Sequence, residues 1–230
     1  MFLNIFGAIM IKTCVLIPSY NEAKTVGGII KELRDKGLSS CVIDDGSTDD
    51  TASIAKSNGA VVLRHDKNMG KGASLREGFK YVLKEGFAAA LIMDGDGQHE
   101  TGDIDNFFKK MEDTDADIVI GNRMSDTSSM PLVRNITNKF MSCVISKLCG
   151  RKIPDTQCGF RLIKRKAVED INLESSNYEI ESEFLIKAAK KGFKIYSVPI
   201  KTVYKGEKSK INPIIDTIRF ISLLINTVRR

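Results

Sequence analysis

Between residues 12 and 121 the chain alternates five short apolar runs with four stretches at helical spacing. The apolar runs cover 12–18, 40–44, 60–65, 88–94 and 116–121. The helical stretches cover 21–36, 48–58, 70–85 and 103–112; in the first, Val26, Ile29, Ile30 and Leu33 fall on one face. Pro18 stops the first strand, Gly86 closes the third helix, and Ser47 or Thr48 is placed to cap the second. Strands alternating with helices in this way imply βαβ units. The expected architecture is α/β: a mostly parallel sheet flanked by helices on both faces.

Such sheets bind ligands outside the carboxyl ends of their strands. Here those exits read "PSYNE", "DDGSTDDT", "DGDGQH" and "GNRM". Topology therefore gathers Tyr20, Glu22, Asp44, Asp45, Asp94, Asp96 and Arg123 around one crevice.

Asp94 and Asp96 are the most telling of these. Alternate carboxylates at a strand exit can share one hard divalent cation, which prefers oxygen ligands, and Gln98 continues the alternation with an amide oxygen. Gly95 and Gly97 let a diphosphate approach the backbone, where a cation offsets the charge of a departing diphosphate. An EF-hand is excluded, because His99 stands where the loop needs glycine and Asp105 where it needs glutamate. An aspartyl-phosphate phosphatase carries its D-x-D on the first strand, and this one follows the fourth. "MGKGAS" fails the P-loop pattern, yet Gly70 and Gly72 open a helix whose N-terminal amides suit an anion. Asp44 or Asp45 can accept hydrogen bonds from a base or a ribose. His65 reads as structural; His99, next to the acidic pair, is within reach of a diphosphate or sugar.

The net charge of +6 and pI near 9.0 favour an anionic partner. Five scattered cysteines without a C-x-x-C pair speak against zinc and for a reducing, cytosolic setting. Residues 1–9 lack the basic start and cleavage site of a signal peptide. No apolar run reaches the ~20 residues of a membrane span.

Beyond residue 122 the alternation ends. A helix is expected over 132–148, with Leu132, Ile136, Phe140, Val144 and Leu148 on one stripe, and another over 179–191. "FKIYSVPIKTVY" reads as a strand pair or a long edge strand. The end of the chain reads as a C-terminal amphipathic helix with Ile214, Ile218, Ile221, Ile225 and Val228 on one face.

The series "IPSYNEAKTV", "VIDDGSTDDT", "RHDKNMGKGAS", "IMDGDGQH", "IGNRM" and "DTQCGFR", in this order, resembles the family 2 glycosyltransferases, in particular their dolichol-phosphate mannosyltransferase-like branch. The likeness covers about residues 12–205. It implies the GT-A fold, a nucleotide-sugar donor, Mg²⁺ or Mn²⁺ as cofactor, and inversion at the anomeric carbon. Pro18, Tyr20 and Glu22 match the family's first nucleotide-contacting loop. Asp44 and Asp45 match its base- and ribose-binding acids, and Lys71 lies beside the nucleotide. Asp94 matches the first acid of the D-x-D, with Asp96 and Gln98 as metal and diphosphate ligands. Arg123 and Arg134 match basic residues near an acceptor phosphate. Asn138 stands where the family often has a serine.

A lipid monophosphate is already a nucleophile and needs cations rather than a general base. Arg123, Arg134 and Arg161 are candidates, and Lys205, Lys208 and Lys210 of "YKGEKSK" are candidates to close the site. Asp155, Glu179, Glu181 and Glu183 are the candidate bases for a hydroxyl acceptor; otherwise the three glutamates form a solvated helix start. The expectation is a catalytic unit over 11–205 with a basic, amphipathic tail over 206–230. It would move a sugar from a UDP- or GDP-linked donor to a polyprenyl or dolichyl phosphate. The setting is cytoplasmic, with both amphipathic helices able to lie on the cytoplasmic face of a membrane. Transfer to a sugar hydroxyl and a non-catalytic nucleotide-sugar-binding role are the alternatives.

Overall fold

The computed structural model describes residues 2–3, 9–128 and 130–201. A small antiparallel pair, β1 (Phe2–Leu3) with β2 (Ile9–Met10), precedes the main body. The body runs β3 (Thr13–Ser19), α1 (Val26–Asp35), β4 (Ser39–Asp44), α2 (Thr51–Ser57), β5 (Val61–Arg64), α3 (Lys71–Lys84) and β6 (Ala89–Ile92). It continues with α4 (Ile104–Thr114), β7 (Ile118–Asn122), α5 (Leu132–Leu148), β8 (Arg161–Lys164), α6 (Arg165–Asp170), α7 (Ile180–Lys190) and β9 (Ile195–Pro199).

Among the described residues one seven-stranded sheet has the order β5-β4-β3-β6-β8-β7-β9. Its central strands carry no polar alternation, because both faces are covered: Val15, Leu16, Ile17, Val42, Ile43 and Leu91 are all fully buried. Helices α1, α2 and α4 cover one face, where Phe107 of α4 packs tilted against Phe160 with ring centroids 4.4 Å apart. Helices α3, α6 and α7 cover the other, where Gly78 of α3 sits directly over Leu16 and Ile43. Helix α5 packs on α7 from outside.

The parallel βαβ expectation holds for β3 through β6. The departure is β8, which enters antiparallel between β6 and β7, pairing Arg161 with both Ile92 and Ile120. The segment 194–200 supplies a single edge strand, β9, parallel to β7. Two helices start later than their patterns suggest. Asn21 is left-handed (φ 55°), and Glu22 O accepts the Thr25 and Val26 N–H groups, so α1 begins at Val26. Asp50, not Ser47 or Thr48, precedes α2, because Ser47 and Thr48 are tied to Asn21.

Helix α5 spans the predicted range but turns its stripe outward. Leu132, Ile136 and Phe140 are exposed, Val144 and Leu148 are partly buried, and the buried positions are Asn138, Ser142 and Ile145. None of the described helices is long and apolar enough to cross a membrane. Lys205, Lys208, Lys210 and the C-terminal amphipathic stretch lie outside the described residues.

Candidate active site

Three strand exits are stitched into one floor. The loop after β3 is held by the loop after β4: Ser47 Oγ accepts the Asn21 N–H (2.9 Å), Thr51 Oγ1 that of Glu22 (2.8 Å) and Asp49 Oδ2 that of Ala23 (3.2 Å). Thr25 Oγ1 donates to Gly95 O at 2.6 Å, which ties the D-x-D turn to α1. A Cβ on Gly95 would lie 2.6 Å from Ser19 Oγ, so only glycine lets the exits of β3 and β6 approach this closely. Glu22 is thereby set beside the D-x-D turn, where its charge acts on Asp96, and Pro18 and Tyr20 lie on the same exit of β3.

Asp44 and Asp45 sit under this floor and are almost fully buried. Asp44 Oδ1 accepts the Ser47 N–H at 3.1 Å; Oδ2 makes no hydrogen bond and lies 3.2 Å from Arg64 Nε. Asp45 accepts the Met69 and Gly70 N–H groups, each at 2.8 Å, and meets His65 Nδ1 at 2.7 Å. His65 also meets Glu77 at 2.5 Å. Burial pushes its imidazole down, but the hydrogen bonds to Asp45 and Glu77 outweigh this and hold it above its usual range. The acids of "DDGST" thus hold the loops after β4 and β5 together, with His65 bonded between Asp45 and Glu77.

At the centre, Lys71 Nζ bridges two carboxylates, 2.6 Å from Asp94 Oδ1 and 2.7 Å from Glu181 Oε1. Burial opposes its charge, yet the two carboxylates raise the Lys71 pKa far above the ordinary range. Burial likewise opposes the Asp94 charge, but Lys71, His99 and Arg123 hold that carboxyl well below its usual range. Asp96 goes the other way, to about 6, through burial and the adjacent Asp94 charge, with Glu22 adding to it. His99 stacks on Phe160 (4.9 Å, 18°), and its Nδ1 accepts the Asp94 N–H at 3.3 Å. Burial pushes His99 down to about 4, so a neutral ring holds the turn.

Two carboxylates at one turn, one of them pushed up by the other, are a donor set a hard cation fits. Gln98 N donates to Asp96 Oδ1 at 2.9 Å, so its side chain hangs from the same turn. Asp94, Asp96 and Gln98 are fewer ligands than an all-protein cage. Mg²⁺-type ions at phosphate sites take one or two carboxylates and complete their shell with phosphate oxygens and waters.

The arginines divide. Arg123 is buried and forms a bidentate pair with Asp155, Nε to Oδ2 at 2.7 Å and Nη2 to Oδ1 at 2.9 Å. Breaking a buried pair leaves an uncompensated charge. Asp155→Ala is therefore expected to lower unfolding free energy by about 3–5 kcal/mol, measured by urea denaturation. The double variant Arg123→Met/Asp155→Leu should recover part of the loss. Arg134 lies on the first turn of α5, and Asn138 below it is buried, with Nδ2 lacking a hydrogen-bond partner in the structure. Arg161 is placed elsewhere than expected. It is 2% exposed and spends its donors on the carbonyls of Thr156, Cys158 and Glu181, so it braces the sheet rather than facing a phosphate.

Two other expectations are corrected. The N-terminal amides of α3 are not open to an anion: Ser176 O accepts from Gly72 N (2.8 Å) and Ala73 N (3.3 Å). Backbone atoms of residues 175–176 crowd both Gly70 and Gly72. The glutamates of "YEIESE" are not a solvated helix start either. Glu181 holds Lys71, and Glu183 pairs with Lys187 (2.6 Å) and accepts the Glu174 and Ser175 N–H groups. The sequence reading also passed over Gly159, which lies against the Lys71 bridge. A Cβ there would be 2.8 Å from both Asp94 Oδ2 and Lys71 Nζ, and 3.0 Å from Glu181 Oε1.

Comparison with known proteins gives the family and the fold. The family described as glycosyl transferase family 2 matches residues 14–172. Uncharacterized protein MJ1222 of Methanocaldococcus jannaschii is 38% identical over 196 residues, covering 83% of this chain and 81% of that protein. The UDP-N-acetylglucosamine–dolichyl-phosphate N-acetylglucosaminyltransferase of Methanococcus voltae is 30% identical over 213 residues, covering 83% and 85%. Glucosyl-3-phosphoglycerate synthase of Mycobacterium tuberculosis, solved with Mn²⁺, uridine-diphosphate and phosphoglyceric acid, superposes with a TM-score of 0.69 at 17% identity. That superposition covers 94% of this chain and 78% of the other, and it shows the shared GT-A fold. The chain belongs to glycosyl transferase family 2.

Proposed function

We propose that this chain transfers a sugar from a nucleoside diphosphate donor, UDP- or GDP-linked, to a polyprenyl or dolichyl phosphate, with inversion, on the cytoplasmic face of a membrane. The catalytic unit is 11–205, and 206–230 is a basic tail. The observation that carries the choice of acceptor is the state of the carboxylates. Of the four candidate bases, Asp155, Glu181 and Glu183 are each held by a cation: Arg123, Lys71 and Lys187. Glu179, at the start of α7, accepts the Asn177 N–H through Oε1 at 3.4 Å and keeps a buried Oε2 without a hydrogen-bond partner, so it is the one candidate base that no cation holds among the described residues. A hydroxyl acceptor needs a base; a phosphate monoester brings its own anionic oxygen.

In this reading Pro18, Tyr20, Glu22, Asp44 and Asp45 shape the nucleotide pocket. Asp94, Asp96 and Gln98 would hold Mg²⁺ or Mn²⁺. When bound, that ion supplies charge stabilisation for the departing diphosphate. Lys71 keeps Asp94 ionised, and neutral His99 fixes the turn that carries it. Arg123, Arg134 and the Asn138 amide supply positive charge and a donor to the acceptor phosphate. An acceptor oxygen attacks the anomeric carbon as its bond to the donor phosphate breaks, and one displacement inverts the centre. Arg161, its donors spent on backbone carbonyls and its guanidinium against Glu181, braces the Lys71 bridge from behind rather than meeting the acceptor phosphate.

Donor binding is tested by thermal shift with UDP, GDP, UDP-N-acetylglucosamine, UDP-glucose and GDP-mannose, with and without Mn²⁺. A donor at about 100 times its Kd should add roughly 2.7 kcal/mol to stability. The proposal expects a metal-dependent shift for one nucleotide class; equal shifts with and without Mn²⁺ would remove the metal from it.

A further inference from the structure

We infer that the outer face of α5 is a membrane-docking surface that takes a bilayer with anionic headgroups. The inference rests on the lipid-phosphate reading above and assigns the element that meets the lipid. Seven large apolar side chains are exposed among the described residues: Val61, Met69, Leu132, Val133, Ile136, Phe140 and Tyr196. Four of them lie within nine residues of α5, at 73%, 78%, 60% and 66% exposure for Leu132, Val133, Ile136 and Phe140. Their spacing puts them on one stripe. Singly scattered apolar residues are ordinary on a surface, but a contiguous stripe marks an interaction site.

The N-terminal half of the stripe faces outward, while Ile145, Val144 and Leu148 pack inward on the core. Its protein-facing side also carries bonded polar groups: Ser142 Oγ accepts the Thr156 N–H at 3.0 Å, and Ser146 Oγ that of Ile153 at 2.9 Å. These bonds fix which side points out, and they tie α5 to the loop whose Asp155 grips Arg123. An apolar stripe laid on a bilayer would therefore bring the proposed acceptor cations close to the headgroups.

Charge selects the occupant. Helix α5 carries Arg134, Lys139 and Lys147 and no acidic residue, which suits an anionic surface. The remaining chain, 202–230, has six basic and two acidic residues, so it shares the sign of α5 and lacks charge complementarity to it. A second copy of α5 brings the same sign again.

The test is vesicle flotation of the full chain, without donor or acceptor, on phosphatidylcholine vesicles with and without phosphatidylglycerol. Wild type should float with anionic vesicles, and less so in high salt. Ile136→Asp/Phe140→Asp, two exposed positions, should weaken partitioning at least ~30-fold while circular dichroism and melting temperature stay unchanged. Equal flotation of wild type and variant overturns the inference, as does no binding by wild type. So does a wild-type dimer in light scattering that the variant splits, or hydrogen exchange showing α5 equally protected without lipid. Activity separates this from the functional reading. With a short-chain, water-soluble polyprenyl phosphate the variant should match wild type, and with a vesicle-embedded long-chain acceptor it should fall. Vesicle binding through α5 with no transfer to either acceptor would sink the functional reading and leave the docking surface standing.

Discussion

Asp96→Asn is expected to lower kcat/KM for sugar transfer by at least ~100-fold, because even indirect supports of a metal ligand commonly cost 10–100-fold. The same change should make the metal-free protein more stable at pH 7.5. Burial and the Asp94 charge raise the folded-state pKa of Asp96 to about 6, above the roughly 3.9 of an unfolded aspartate. A carboxylate raised on folding costs nothing below its unfolded pKa, where both states are protonated. Its cost grows as pH rises and is complete above its folded pKa. The stability advantage of Asp96→Asn should thus be largest at pH 7.5 and shrink toward pH 4, as read from melting curves in chelator. Loss of activity with lower stability at pH 7.5 would indicate a structural aspartate instead. Full metal-dependent activity would remove Asp96 from the metal site.

Gly159→Ala should be nearly as damaging, for a steric reason. The added methyl would fall 2.8 Å from Asp94 Oδ2 and Lys71 Nζ and 3.0 Å from Glu181 Oε1. All three belong to one ion-paired bridge, so relief means moving the bridge or β8. Overpacking of this kind costs about 1–3 kcal/mol of stability. A displacement of about 1 Å in a positioned group can cost ~100-fold in rate. We expect kcat to fall by that order with the fold retained, while Gly102→Ala, where a Cβ meets nothing within 4 Å, stays at wild-type rate. Wild-type activity in Gly159→Ala would show that the Lys71 bridge is not needed in the working enzyme.

The parallel half of the fold is legible because its strands are buried on both faces and so are written as unbroken apolar runs. The crevice follows from them, since the exits of parallel strands must share one edge. What the sequence conceals depends on partners distant along the chain. Arg161 looks like a site cation because arginine is seldom buried. Its burial is balanced by the carbonyls of Thr156 and Cys158 in the turn just before it and by that of Glu181, 20 residues on, which packing of α7 supplies. The acids Glu181 and Glu183 look solvated because acids often begin helices. The run Phe184-Leu185-Ile186 was the available clue: a helix apolar on all sides is buried, and its acids go in with it. In α5 the spacing reveals a stripe but not its direction. Ser142 and Ser146 decide that by bonding a loop which follows them in the chain.

The central claim is that the acceptor is a lipid phosphate attacked without a general base. It is tested most directly by incubating the full chain with Mn²⁺, a radiolabelled donor and a polyprenyl phosphate, and analysing the organic phase. The account predicts an organic-soluble product whose label is released by mild acid, as expected of a sugar phosphodiester, and no such product with the corresponding polyprenol. Label transferred equally well to the polyprenol, or found only on a water-soluble sugar hydroxyl, would contradict it.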